Sequence, residues 1–119
     1  MAIKRPLVKI CGLRTAESLA VALEAGADMV GFVFFGPSPR NISLSEAAAL
    51  GRLVQGRAKI VALTVDADDA LIDAISRAVA PDILQLHGKE TPERAAALSA
   101  RTGKQIMKAI GVSESADLA

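Results

Sequence analysis

Five short apolar runs, separated by amphipathic stretches, constrain this chain more than any other feature. They are Leu7 to Cys11, MVGFVFF at 29–35, KIVALTV at 59–65, DILQLHG at 82–88 and QIMKAIGV at 105–112. They begin roughly every 25 residues, and apolar runs of this length fit strands buried on both faces. Between them the periodicity turns helical. Leu19, Ala22 and Leu23 share one face, and Gly26 suits a helix C-cap. Ser43 with Glu46 forms a capping box ahead of Ala47, Leu50 and Val54. Leu71, Ile75 and Val79 recur at helical spacing until Pro81 stops the helix. Thr91 and Pro92 open a helix that closes at Gly103. The last residues, SESADLA, read as the start of one more.

The order βαβαβαβαβ predicts a parallel sheet with right-handed crossovers. Two folds satisfy it. One is a five-stranded, flavodoxin-like open parallel sheet, complete at 119 residues. The other is a (β/α)8 TIM barrel, of which this chain would cover about the first five strands, because a whole barrel needs at least about 200 residues. Length alone favours the open sheet.

Composition excludes several classes. Half the residues are apolar and the formal net charge is +1. Trp and Tyr are absent, so no aromatic stacking set or basic stripe speaks for nucleic acid. No apolar stretch is long enough to span a bilayer, and MAIKRPLVKICG lacks the h-region of a signal peptide. One cysteine forms no internal disulfide. The expectation is a soluble cytoplasmic protein.

In either parallel architecture, function gathers at the C-terminal edge of the strands. Cys11 and Gly12 follow the first strand there, Ser38-Pro39-Arg40 the second, Asp66 the third, and His87 and Gly88 the fourth, with Lys108 inside the fifth. A lone strand cysteine is often packing. It becomes a base when nearby positive charge favours the thiolate, and Lys9 shares its face by alternation. Gly12 gives room for a ligand near the backbone. His87 reads as a structural hydrogen-bonder or a site residue. Arg40, on a loop stiffened by two prolines, reads as a solvated arginine or a bidentate grip on a carboxylate or phosphate.

Asp66 and Lys108 raise a rival, the phosphoacceptor and lysine of a flavodoxin-like signalling module. That module needs an acidic pair after strand one to hold Mg²⁺. Here the place reads Cys11-Gly12-Leu13, so Asp66 is expected to cap a helix instead. No P-loop or Rossmann glycine pattern, zinc-spaced Cys/His cluster or nucleophile elbow occurs.

Taken in order, VKICGL at 8–13, EAGADMVGFVFFGPSPRNIS at 24–43, DILQLHG at 82–88 and KAIGV at 108–112 resemble phosphoribosylanthranilate isomerase of tryptophan biosynthesis. The resemblance implies a TIM barrel and an Amadori rearrangement of N-(5′-phosphoribosyl)anthranilate, without metal or organic cofactor. It makes Cys11 the general base, Arg40 the contact to the anthranilate carboxylate, His87 part of the active-site wall and Gly12 a clearing for substrate. In the family the catalytic acid ends strand six, and the phosphate is held by the loops after strands seven and eight. Residues 1–119 are thus expected to be a single partial barrel domain lacking strands 6–8, with little or no activity alone. Its unpaired edges would be met by self-association or by a complementing C-terminal half.

Overall fold

A computed structural model describes residues 7–108, which form five strands alternating with four helices. The strands are β1 (Lys9–Cys11), β2 (Met29–Phe34), β3 (Lys59–Thr64), β4 (Ile83–Leu86) and β5 (Gln105–Lys108). The helices are α1 (Ala16–Glu24), α2 (Leu44–Val54), α3 (Asp69–Ala78) and α4 (Pro92–Thr102). The run after Lys108, including the expected helix in SESADLA, lies outside the described residues.

The helices start where their caps allow. Thr15, Ser43, Asp68 and Thr91 each accept a backbone N–H three residues on, and Ser43 with Glu46 completes the capping box. Gly26 lies one residue past the α1 cap, which is Ala25. In α3 the deepest residues are Ile72 and Ile75, while Leu71 is only half-buried. Ile75 and Val79 of the expected line are buried, and Ile72 joins them in place of Leu71.

All four ladders are parallel, and the strands stand in chain order, β1-β2-β3-β4-β5. This corrects the open-sheet alternative. A flavodoxin-like sheet has the order 2-1-3-4-5, whose reversal sends helices to both faces. With every crossover right-handed and every step in one direction, all helices fall on one face. Val30, Phe32 and Phe34 of β2, Ala62 of β3, and Leu84 and Leu86 of β4 share one core with Leu19, Ala47, Leu50, Ile72, Ile75 and Leu98 of the helices. The other face, carrying Lys9, Cys11, Val33, Leu63 and Gln85, has no helix over it among the described residues.

The sheet is curled about that bare face. Through the ladders Cys11 stands level with Gly31, Val61 and Ile83. Lys9 lies two residues below this line and Gln85 two above it. In a flat sheet their Cα atoms would be about 20 Å apart. The Lys9 ammonium nevertheless donates to Gln85 Oε1. An offset of four residues, about 13 Å, over three strand spacings, about 14 Å, matches strands tilted about 40° to the axis of curvature, as in a TIM barrel.

Because the helix-side core is what holds these units together, Phe32→Ala is expected to cost about 3–5 kcal/mol in urea unfolding. Val21→Ala, on the exposed side of α1, is expected to stay within about 0.5 kcal/mol.

Candidate active site

The strand ends build a cleft of about 430 Å³ on the concave face. Its walls are Val33, Phe35, Leu63 and Val65, and its polar groups are Lys9, Cys11, Ser38, Arg40, Gln85 and His87. That volume and that mixture suit a small organic molecule held by a few polar contacts.

Each polar group is placed by its strand end. Cys11 closes β1, and its thiol leans on Gly31, where a Cβ would stand 2.7 Å from Sγ. Gly31 is a site residue that sequence reading missed. The available signal was a glycine inside the apolar run MVGFVFF, since a strand glycine often marks a close approach. Gly12 turns the chain out of β1 at φ +83°, and its N–H donates to the Gly31 carbonyl at 3.0 Å.

Arg40 sits on a tied loop. Ser38 N–H donates to the Phe35 carbonyl, Asn41 N–H to the Ser38 carbonyl, and Arg40 N–H to Ser38 Oγ at 3.0 Å. Arg14, also unread in the sequence, donates from Nη1 to the Pro39 carbonyl at 2.8 Å. The Arg40 side chain then crosses directly over Gly12, where a Cβ would meet its Cδ at 2.5 Å. The space expected at Gly12 for substrate is filled by this arginine. Gly12 thereby brings Arg40 beside Cys11 on the rim of the same cleft.

His87 follows β4, its N–H donating to the Thr64 carbonyl at 2.8 Å, and its side chain lines the cleft from the exposed rim. The segment beyond it is clasped to the loop after β3. Glu90, with only 3 % of its side chain exposed, accepts the N–H of Asp66 and of Gly88, both at 2.8 Å. Asp66 Oδ1 accepts the Lys89 N–H at 2.7 Å, and a Cβ on Gly88 would run into the Asp66 carboxyl. Lys108 joins from β5, donating to the Gly88 carbonyl at 2.5 Å and to Glu90 at 3.1 Å.

One expectation changes here. Asp66 is not the helix cap; Asp68 is, accepting from Leu71 N–H at 2.9 Å. Asp66 has φ +49° and is spent on the clasp, as is Lys108, so neither belongs to a phosphoacceptor site. Among the described residues no group of three or more His, Cys, Asp or Glu side chains could hold a metal ion. Nor is any helix there long and apolar enough to cross a membrane.

The cleft thus joins a thiol, a guanidinium on a tied loop and an imidazole on the C-terminal rim of the parallel sheet, with the Lys9 ammonium one layer below. That is the layout of a TIM-barrel enzyme, in part. The comparisons are specific. The family model for N-(5′-phosphoribosyl)anthranilate (PRA) isomerase matches residues 8–119. The N-(5′-phosphoribosyl)anthranilate isomerase of Bradyrhizobium diazoefficiens is 62% identical over 113 residues, 95% of this chain and 51% of that protein. The crystal structure of the Thermotoga maritima phosphoribosylanthranilate isomerase superposes with a TM-score of 0.86 at 32% identity, covering 96% of this chain and 55% of that one. A phosphoribosylanthranilate isomerase solved with reduced 1-(o-carboxyphenylamino)-1-deoxyribulose 5-phosphate also gives 0.86 at 32% identity, over 96% of this chain and 58% of that one. This chain belongs to the phosphoribosylanthranilate isomerase family, and it spans about half the length of the curated relatives it matches.

Glu90 yields a testable consequence of the clasp. Burial alone would raise its carboxyl pKa, but its own backbone N–H, those of Asp66 and Gly88, and the Lys108 ammonium together hold it below the ordinary 4.5. A depressed value stabilises the fold above the unfolded pKa, and the gain is lost as pH falls through the folded one. Glu90→Gln is expected to destabilise by about 1–3 kcal/mol at pH 7. In urea melts across pH, the gap to the parent should narrow below pH 4.5.

Proposed function

We propose that this chain supplies the base-and-carboxylate half of a phosphoribosylanthranilate isomerase. It is a single partial barrel domain, and strands six to eight complete it. The observation that carries the reading is the convergence of Cys11, Arg40 and His87 on one cleft. The reaction is an intramolecular redox isomerisation of an aldose derivative to a ketose, a step of tryptophan biosynthesis. After the ribose ring opens to a Schiff base, C2′ is acidified by the adjacent iminium. A modest base such as the Cys11 thiolate can then take its proton. The enolamine that results tautomerises to the ketone. Arg40 grips the anthranilate carboxylate, and its tied loop removes the entropy of finding that pose. His87 walls the cleft. The acid that opens the ring and the phosphate site belong to the other barrel half, so residues 1–119 alone are expected to turn over little substrate.

No metal or organic cofactor enters these steps. A reducing cytoplasm suits a reaction that depends on one free thiol. The concave face and the outer edges of β1 and β5, uncovered among the described residues, are proposed to take the complementary half-barrel, with self-association as the competing outcome.

Fluorescence turnover of N-(5′-phosphoribosyl)anthranilate tests this on the chain mixed with a separately made C-terminal half of a family barrel. Activity is expected on mixing. Cys11→Ser should then lower kcat by about 10²–10⁴. Arg40→Ala should lower kcat/KM by about 10–100-fold, with Arg40→Lys recovering only part of it. A folded 1:1 complex that stays silent, or one indifferent to Cys11→Ser, overturns the reading.

A further inference from the structure

The cleft has a floor that the reaction does not use. Lys9 of β1 reaches across the concave face, past β2 and β3, and donates its ammonium to Gln85 Oε1 of β4. Gln85 is only 8% exposed and Lys9 is half-buried, so each polar head would be left on an apolar surface without the other. Lys9 stands two residues below Cys11 on the same face of β1. Gln85 stands two residues below His87 on the same face of β4. The pair therefore ties the two strands one side-chain layer beneath the two rim groups. Cys11 and His87 face each other across the same three ladders with the same four-residue offset.

We propose that Lys9 and Gln85 are positioning residues. Their bond sets the curl of the sheet and so the span between Cys11 and His87. This rests on the reading of those two as site residues. The tie suits this place because, among the described residues, no other bond crosses the bowl there: the backbone ladders join only neighbouring strands, and sheet twist is soft over several strands. Val33, Leu63 and Ile83 fill the face around it but bond to nothing directional. A charge-assisted bond is both directional and costly to break in a half-buried setting.

The chain carries one cysteine and one histidine, which makes the span directly measurable. A nitroxide on Cys11 broadens the His87 ring proton at a rate that falls with the inverse sixth power of their separation. In the full chain that broadening is expected to be strong. Lys9→Met and Gln85→Leu should each weaken it severalfold while circular dichroism retains the helices. The exchange Lys9→Gln with Gln85→Lys rebuilds the bond from the opposite strand and should restore it. Unchanged broadening in the folded single variants overturns the proposal. Should the singles fail to fold, a folded exchange variant without broadening overturns it equally, and one with broadening supports it. The functional reading fails separately, through turnover that survives Cys11→Ser, and leaves the span result standing.

Discussion

Five parallel strands in chain order impose a direction on everything else in this molecule. Each right-handed crossover adds its helix to the same side, so apolar burial is concentrated between that helical layer and the outer face of the sheet. The inner face then collects, beside Val33 and Leu63, the groups able to do chemistry: an ammonium, a thiol, an amide and an imidazole. Stability and chemistry are thus divided between the two faces of one sheet. The alternation of side chains along each strand keeps the two sets apart.

The rim is assembled by close approaches between neighbouring units. At Gly31 the missing side chain makes room for the thiol of β1. At Gly12 it makes room for the arginine of the next loop, and at Gly88 for the carboxyl of the preceding one. Each contact joins adjacent βα units, so the loops at the cleft are fixed by one another. The Arg14–Pro39 bond and the Glu90 clasp do the same with polar groups. A cleft held in this way is preorganised, so little of it must rearrange when a ligand enters.

Much of this was legible in the residues. Apolar runs bounded by turn signals placed all five strands, and Ser43–Glu46 and Thr91–Pro92 marked helix starts that the structure shows. Cys11, Arg40 and His87 were singled out by position at strand ends, and all three line one cleft; their roles were read only from the resemblance to the family. Strand order was not legible from the pattern, because open sheet and barrel share the same βα rhythm and differ only in which neighbours pair. Gly31, Gln85 and Glu90 escaped because their significance lies in contacts across the sheet. Gln85 sits in an apolar run like any strand residue, and its partner is 76 residues away. Asp66 was misread for a related reason: two further aspartates follow within three residues, and only the fold shows which of them caps α3.

The order of the strands also has a bearing on synthesis. Every ladder in the described sheet joins a strand to the one made just before it. As the chain leaves the ribosome, the strand that each new one pairs with has already been made, one helical crossover earlier. Cys11 and Arg40 belong to the first two βα units to be made, and His87 follows the fourth strand. The cleft is therefore written from one end, its thiol and guanidinium synthesised before any later strand that could enclose them.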